Sequence, residues 1–273
     1  MNNILTITKF TIREALSRKI FISFFAISTF VILLFALLFS FVSFEDLTGM
    51  VSVNSKEVSD LAKGIAEGLK MFIVVPLFGG GLFLSIFSAA SFIPNMLEKG
   101  SIDLLLSKPI SRTQIVLGKF FGGTLIVFVN IAYLIISIWI LIGIKFGVWD
   151  PSFLLSILTI TFTFATLYSL IILIGILTQS SVVAMMISYL IFFVFSPILN
   201  ARESISMFLD NSFIKSIMDV LYYIVPKTSE LGSITTSLSL GGEIDSFQPI
   251  WTSLLFIILT LYFSILIFSK KDY

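Results

Sequence analysis

The stretch Phe120–Ile144 reads FFGGTLIVFVNIAYLIISIWILIGI and contains no Asp, Glu, Lys or Arg. An α-helix rises about 1.5 Å per residue, so about 20 apolar residues cross the roughly 30 Å hydrocarbon core of a bilayer. A run of this length and composition therefore predicts a transmembrane helix. Five further uncharged runs have similar lengths and together with the first make up half of the chain: 20–44, 71–94, 153–177, 182–199 and 250–269.

These runs decide the fold class. They are too long and too uniformly apolar for the short alternating strands of a membrane β-barrel. Six such runs in 273 residues also argue against buried helices of a soluble protein. We expect an all-α polytopic membrane protein with six transmembrane helices, forming a single domain over residues 1–273.

The composition excludes several classes of function. Hydrophobic residues make up 57% of the chain and charged residues 12%, about half the roughly 25% usual in soluble domains. This excludes a soluble enzyme and a nucleic-acid-binding protein with a basic face. Cys and His are both absent, which removes disulfides and the commonest general base and metal ligand. No phosphate-binding G-x-x-x-x-G-K-[ST] loop occurs. We expect no catalytic activity and no cofactor or metal in this chain.

The placement of the charges predicts the topology. The segments on one side of the six runs, which include both ends of the chain, hold 10 Lys and Arg against four Asp and Glu. The segments on the other side hold 7 basic residues against 12 acidic ones. Because basic residues concentrate in short cytoplasmic segments, we expect both termini and the connection 95–119 to lie in the cytoplasm. The spans contain no ionisable residue, which argues against an ion-coupled carrier.

Each of two segments outside the spans has two interpretations. Residues 1–19 place Ile4, Ile7 and Leu16 on one helical face and Lys9 and Arg13 opposite, which predicts an interfacial helix. The alternative is a basic flank that only fixes the orientation. The extracytoplasmic segment 200–249 contains apolar stretches interrupted by charge. It is either a pair of helices half-buried in the outer leaflet or a solvated subdomain.

A few mild polar residues inside the spans are candidates for a translocation path or for close helix packing. Small hydroxyl residues on one helical face usually serve packing, and a stripe that faces a pore is the sharper alternative. In the fourth run they recur at helical spacing, and the third run has one amide. The candidates are Ser156, Thr159, Thr163, Thr166 and Asn130. Gly79-Gly80-Gly81 after Pro76 predicts a bend or a close backbone approach in the second run.

The connection between the second and third runs carries the most specific motif. Residues 98–119 read EKGSIDLLLSKPISRTQIVLGK. Ser101 is suited to cap a short helix, and Pro109 ends it. Leu104, Leu105 and Leu106 are apolar residues among charges, which favours docking into a groove of another protein. The alternative is a helix that rests on lipid headgroups.

This string resembles the signature of type-2 ABC transporter permeases, in particular the branch that includes the permease associated with nitrous-oxide reductase maturation. In that family the motif lies between the second and third helices and forms the coupling helix that contacts an ATPase subunit. Matched onto this chain, the resemblance implies contacts with the ATPase from these residues: Glu98, Lys99, Gly100, Ser101, Asp103, Leu104, Leu105, Lys108, Pro109, Ser111 and Arg112.

The resemblance also implies a mechanism and partners. Two permease subunits, identical or homologous, would form a dimer in the bilayer of a prokaryotic plasma membrane. A separate cytoplasmic ABC ATPase dimer would bind ATP and Mg²⁺ and drive export of a substrate. The alternatives are a membrane scaffold or assembly factor with the same fold and no transport, and an ion-coupled carrier or channel.

Overall fold

The computed structural model describes residues 2–17, 19–41, 55–97, 100, 110–208 and 212–271. Within these residues the chain is helical, and six helices are long and apolar enough to cross a membrane. The predicted all-α polytopic fold is confirmed. The side chains Glu98, Lys99, Ser101, Asp103, Leu104, Leu105, Lys108 and Pro109 of the predicted coupling segment lie outside the described residues.

The six candidate spans are numbered in chain order. They are span 1 (Ile22–Phe41), span 2 (Asp60–Met96), span 3 (Arg112–Phe146), span 4 (Ser152–Thr178), span 5 (Ser181–Asn200) and span 6 (Gln248–Lys270). Span 1 belongs to a helix that begins at Lys19, and span 2 to one that begins at Ser55. The remaining helices are α1 (Asn2–Ser17), α2 (Arg202–Phe208), α3 (Ser212–Ile224) and α4 (Thr228–Ser239).

Span 4 is the central helix of the bundle. In its most apolar window 78% of the residues are buried, whereas the same measure is 11% for span 1. It packs against spans 3, 5 and 6 and against α4. Phe153, Phe164 and Tyr168 are among its fully buried side chains. Helices around the rim expose apolar side chains, as a membrane-facing surface does.

Two spans are interrupted by a π-helical turn. In span 2 it covers Leu77–Gly81, directly after Pro76 and at the three glycines where a bend is predicted. In span 5 it covers Ile191–Phe195, just before Pro197. Proline removes a backbone donor and clashes with the carbonyl four residues earlier, which for Pro197 is that of Phe193, so the wider turn in span 5 accommodates it. Such turns often mark functional positions in helices.

The segment between spans 5 and 6 is mostly helical. Helix α3 exposes apolar side chains, including Phe213 and Tyr223. Helix α4 instead packs into the bundle against spans 2 and 4, with Leu231 and Leu238 buried. Its Ser- and Thr-rich sequence gave no apolar run, and the sequence analysis did not identify it. The apolar residues spaced three and four apart at 231, 234 and 238 are the signal that was available.

The two ends of the bundle are named here by their charge. At the basic end lie residues 97 and 110–111, which flank the connection between spans 2 and 3, and residues 270–271. At the acidic end lie the connection 147–151 and, between spans 5 and 6, residues 201–208 and 212–247. The cytoplasmic location of the basic end stays a prediction.

Candidate functional site: a helix frame at the basic end

The connection 97–111 leaves and re-enters the bundle at fixed points. Before it, the short helix Phe92–Met96 is buried against span 4. A Cβ at Gly175 of span 4 would lie 3.3 Å from Ile93 Cβ, so glycine permits this close approach. Gly100, in the connection, is exposed and has a φ of +90°, a backbone conformation that favours glycine. The segment is therefore held firmly where it starts.

After the connection, span 3 begins with a capping box at Ser111. The Gln114 N–H donates to Ser111 Oγ at 3.3 Å, and the Ser111 N–H donates to Gln114 Oε1 at 3.1 Å. Each bond satisfies a backbone donor that the first helical turn cannot pair. Asn3 of α1 also donates to Gln114 Oε1, at 3.3 Å. The cap thus ties the end of the connection to the N-terminal helix.

Arg112 joins span 3 to the end of span 6. Its guanidinium donates to the backbone oxygens of Phe268 and Lys271, and to that of Ser269 at 3.3 Å. These carbonyls belong to a helix end, where they have no partner in the helix and where a cation is favoured. The side chain predicted to contact an ATPase is thus engaged within the chain. Contact with an ATPase stays a prediction for Arg112.

Lys271 joins the end of span 6 to the end of span 4. The contacts of Ser111, Arg112 and Lys271 at the basic end are together called the helix frame. Lys271 Nζ donates to the backbone oxygen of Ile176 at 2.6 Å and to that of Leu177 at 3.3 Å. Spans 3, 4 and 6 are therefore linked by two cations that bind carbonyls at helix ends. A displacement of Ser111 would be transmitted to all three helices.

Helix α1 is clamped onto the first turns of span 3. A Cβ at Gly118 would lie 2.6 Å from Ile7 Cβ, and one at Gly122 would lie 2.6 Å from Thr11 Cβ. Two glycines four residues apart let helices approach closely. Thr8 Oγ1 also donates to the Gly118 carbonyl, at 3.3 Å.

A buried ion pair completes this contact. Lys119 Nζ lies 2.6 Å from Glu14 Oε2, and the lysine side chain is 1% exposed. A buried ammonium without a partner is costly, so the pair fixes the register of α1 on span 3. Sequence reasoning noted Lys119 and Glu14 only as charges that orient the chain. The Gly118-x-x-x-Gly122 spacing was the available signal of this contact.

The model of the family described as "ABC-2 family transporter protein" matches residues 5–273. The chain belongs to the ABC-2 transporter family. No curated protein matches the chain.

Membership identifies this protein as a permease, the membrane component of an ABC transporter and a multi-pass membrane protein. The predicted type-2 ABC permease family is confirmed, and its branch stays a prediction.

The hydroxyl residues of span 4 lie inside the permease bundle. Ser156, Thr163 and Thr166 are fully buried. Thr163 Oγ1 donates to the Thr159 carbonyl and Thr166 Oγ1 to the Phe162 carbonyl, each at 2.9 Å. Both hydrogen bonds lie within span 4. Neither of the two large cavities of the bundle is lined by Ser156, Thr163 or Thr166. The arrangement favours the packing interpretation over a pore.

Asn130 is placed differently. Its Oδ1 accepts a hydrogen bond from Ser28 Oγ of span 1 at 3.0 Å. Its Nδ2 is buried and has no hydrogen-bond partner within the described part of the chain. Both residues line a cavity of about 400 Å³ between spans 1, 2 and 3.

A second cavity lies between spans 2 and 5 and helix α4. It measures about 620 Å³ and is lined by Phe78, Phe192 and Gly232, among others. The Phe78 and Phe192 rings, 5.9 Å apart, come from the two π-helical turns. A Cβ at Gly232 would lie 2.8 Å from Phe78 Cε1, so glycine lets the ring approach α4.

Spans 2 and 5 also meet nearer the basic end. The Phe83 and Tyr189 rings stack with centroids 4.5 Å apart, and Tyr189 Oη donates to the Phe83 carbonyl at 2.8 Å. The two interrupted helices thus line a cleft at their π-helical turns and contact each other directly at Phe83 and Tyr189.

The acidic end has its own buried ion pair. Lys70 Nζ lies 2.5 Å from Asp150 Oδ2, and the lysine is 2% exposed. Burial acts to raise the pKa of Asp150. The hydrogen bonds from Lys70 and from the Ser152 N–H outweigh that effect and hold the pKa below its usual 3.8. The pair ties span 2 to the connection between spans 3 and 4.

Helices α2, α3 and α4 are held together by cations on one aromatic ring. Arg202 Cζ lies 3.4 Å from the Tyr222 ring centroid, and Lys227 Nζ lies 3.7 Å from it. Burial, together with Glu230, raises the pKa of Tyr222 to about 12. Burial also lowers the pKa of Lys227. This cluster fixes the position of α4, which forms one wall of the second cavity.

Proposed function

We propose that this permease is the membrane subunit of an ATP-driven exporter, powered by a separate ATPase dimer that docks on residues 98–112. The observation that carries the proposal is the family motif in this connection, attached at both ends to the helix frame. The ATPase would bind ATP and Mg²⁺. The permease would convert the closing motion of the ATPase into a change of exposure across the membrane.

The docking surface is the short apolar run of the connection. Leu104, Leu105 and Leu106 stand between charged residues, which suits a helix that enters a groove on a partner. Flanking charges would steer and orient the partner without supplying most of the affinity. The substrate path would then not need a charge of its own, since ATP supplies the free energy.

Force applied to the connection has a continuous route into the bundle. A push at residues 98–110 would reach span 3 through the Ser111 cap. It would reach spans 6 and 4 through Arg112 and Lys271, and α1 through the glycine contact and Glu14. The central position of span 4 supports this route, because its movement would repack every neighbouring span.

The substrate path is proposed at the cleft between spans 2 and 5. Its two π-helical turns are of a kind that often occurs at functional sites in helices. Two apolar side chains at this cleft, Phe83 and Phe193, are exposed by 40% and 49%. A second permease subunit, identical or homologous, would cover this face and complete the path between the two copies.

The experiment is co-purification of the permease with its ATPase subunit, followed by measurement of ATP hydrolysis. Leu105→Asp places a charge in the proposed groove. It should reduce co-purification and hydrolysis about tenfold or more, as expected for a central apolar anchor. The matched control is Ser107→Asp, which adds the same charge in the same connection.

The control should retain both properties. Arg112 variants are unsuitable here, since Arg112 also holds span 6. Full co-purification and hydrolysis with Leu105→Asp would contradict docking at this segment. A complex that forms but never hydrolyses ATP under any condition would instead support a scaffold.

A further inference from the structure

The cavity between spans 1, 2 and 3 has three polar side chains in a mostly apolar wall. They are Ser28, Ser85 and Asn130, and each is at most 9% exposed. Leu34, Phe35 and Phe72 belong to the apolar part of the wall. Span 1 contributes residues from Phe24 to Phe35 to the wall, which corresponds to a length of about 16 Å along a helix. The volume of about 400 Å³ falls within the usual range of ligand sites.

The unpaired amide nitrogen of Asn130 indicates that the cavity binds a ligand. The residue is about nine-tenths buried, and its Nδ2 has no hydrogen-bond partner among the described residues, while its Oδ1 is bonded to Ser28. An unpaired amide in an apolar environment is costly. If the amide were turned over, its oxygen would be the unpaired atom. In either orientation the amide offers the cavity one unused hydrogen-bonding group.

The other lining residues define the chemistry of the ligand. None of the described residues that line this cavity is charged, so an ionic headgroup would find no counter-ion among them. Ser85 Oγ donates to the Gly81 carbonyl at 2.8 Å and keeps its lone pairs as acceptors. A ligand with one neutral oxygen group and a hydrocarbon body matches this distribution of polarity.

The bilayer has access to the cavity. Ile27 and Leu34 of span 1 are 49% and 40% exposed, and Phe72 of span 2 is 68% exposed. Span 1 packs mainly against span 3 and α1, and it is the least buried of the spans. The cavity therefore opens between spans 1 and 2 onto the apolar outer surface of the bundle. A ligand would enter sideways from the hydrocarbon phase.

We propose that this cavity binds a neutral single-chain amphiphile from the bilayer. The oxygen of the ligand bonds to the Asn130 amide, and its chain lies along spans 1 and 2 towards Leu34 and Phe35. The site lies apart from the cleft between spans 2 and 5. It requires neither ATP nor an ATPase, so it can be tested on the permease alone.

The test is photolabelling of the purified permease in lipid nanodiscs with a diazirine derivative of 1-dodecanol. Labelled peptides should fall within 24–35 and 72–85. Excess 1-dodecanol should compete for labelling, and dodecane should compete about tenfold more weakly, because it cannot pair with the amide. Dodecylphosphocholine should also compete weakly because of its charged headgroup.

Two variants and one control make the result specific. Asn130→Leu keeps the number and branching of the side-chain heavy atoms and removes the amide, and it should lower labelling about tenfold. Leu34→Trp narrows the exposed rim and should lower labelling without disturbing the core. Thr163→Val removes a buried hydroxyl outside the cavity and should leave labelling unchanged. Gel filtration and thermal unfolding confirm that each variant is folded.

Several results would overturn the proposal. One is wild-type labelling in both Asn130→Leu and Leu34→Trp. Another is label spread over span 6 in proportion to its exposed surface, which would indicate ordinary contact with lipid. Equal competition by dodecane or by dodecylphosphocholine would exclude recognition of a neutral oxygen.

Discussion

At the scale of single residues, two buried lysines fix the two ends of the bundle. Lys119 binds Glu14 at the basic end, and Lys70 binds Asp150 at the acidic end. Each lysine is almost fully buried, so loss of its carboxylate leaves a charge that water cannot reach. Such a loss typically costs about 3 to 5 kcal/mol.

The pair at the acidic end gives a pH-dependent prediction. Asp150 has a lowered pKa in the folded state, so its stabilising effect is present above the unfolded pKa, near 4. The effect is lost as the pH falls through the folded value. The thermal unfolding midpoint of the wild type in detergent should therefore fall between about pH 5 and pH 2.

Asp150→Asn is the variant that isolates this effect. It should destabilise the protein by about 3 kcal/mol at neutral pH, towards the low end because Asp150 is 25% exposed. Its unfolding midpoint should change less with acid than that of the wild type. Lys70→Met in the same chain should restore part of the stability. An identical acid dependence in wild type and Asp150→Asn would show that the pair contributes nothing.

At the scale of elements, the contact between α1 and span 3 depends on two glycines. Gly122→Ala would place a Cβ 2.6 Å from Thr11 Cβ, so α1 must shift and the Lys119–Glu14 pair must lengthen. We expect a loss of about 1 to 3 kcal/mol, the usual cost of overpacking. Thermal unfolding and the protease sensitivity of α1 measure the effect.

The matched control for this substitution is Gly64→Ala. Gly64 also lies within a helix, but a Cβ there meets no atom within 4 Å. Removing a helical glycine at an open position should stabilise the helix by about 0.5 to 1 kcal/mol. If the two variants behaved alike, α1 would not be held by close contact with span 3.

The elements also show how far the sequence could lead. Spans were predictable because uncharged runs of this length leave few alternatives, and the π-helical turn in span 2 occurs where Pro76 and three glycines predicted a bend. Helix α4 was not predictable from hydropathy because its Ser and Thr residues lower the mean hydropathy of the segment, even though its apolar residues share one face. Contacts such as Arg112 with the end of span 6 join residues more than 150 positions apart, and no local pattern reveals them.

Of the candidate sites, the motif was predictable from the sequence and the cavity was not. The motif at residues 98–112 was recognisable because the order of its residues is specific. The cavity at Asn130 was not, since a lone amide in a span serves packing as often as binding. Only the position of its unpaired nitrogen beside open space separates the two interpretations.

At the scale of the whole molecule, the permease is a bundle around span 4 with different constructions at its two ends. The basic end links three spans and α1 around the point where the motif re-enters the bundle. At the acidic end, helices α2, α3 and α4 meet at Tyr222, and α4 forms one wall of the cleft between spans 2 and 5. We infer that the motion of the ATPase is transmitted to the permease at the basic end and changes access to the cleft at the acidic end.

The measurement that tests this account most directly is thiol labelling of a single cysteine at position 108, in a chain that has no natural cysteine. A membrane-impermeant reagent should not label Lys108→Cys in intact cells. It should label it in inside-out vesicles, and bound ATPase subunit should protect it. Glu243→Cys, at the acidic end, should show the opposite sidedness. Labelling of position 108 from outside the cell, or equal labelling with and without the ATPase, would contradict the account.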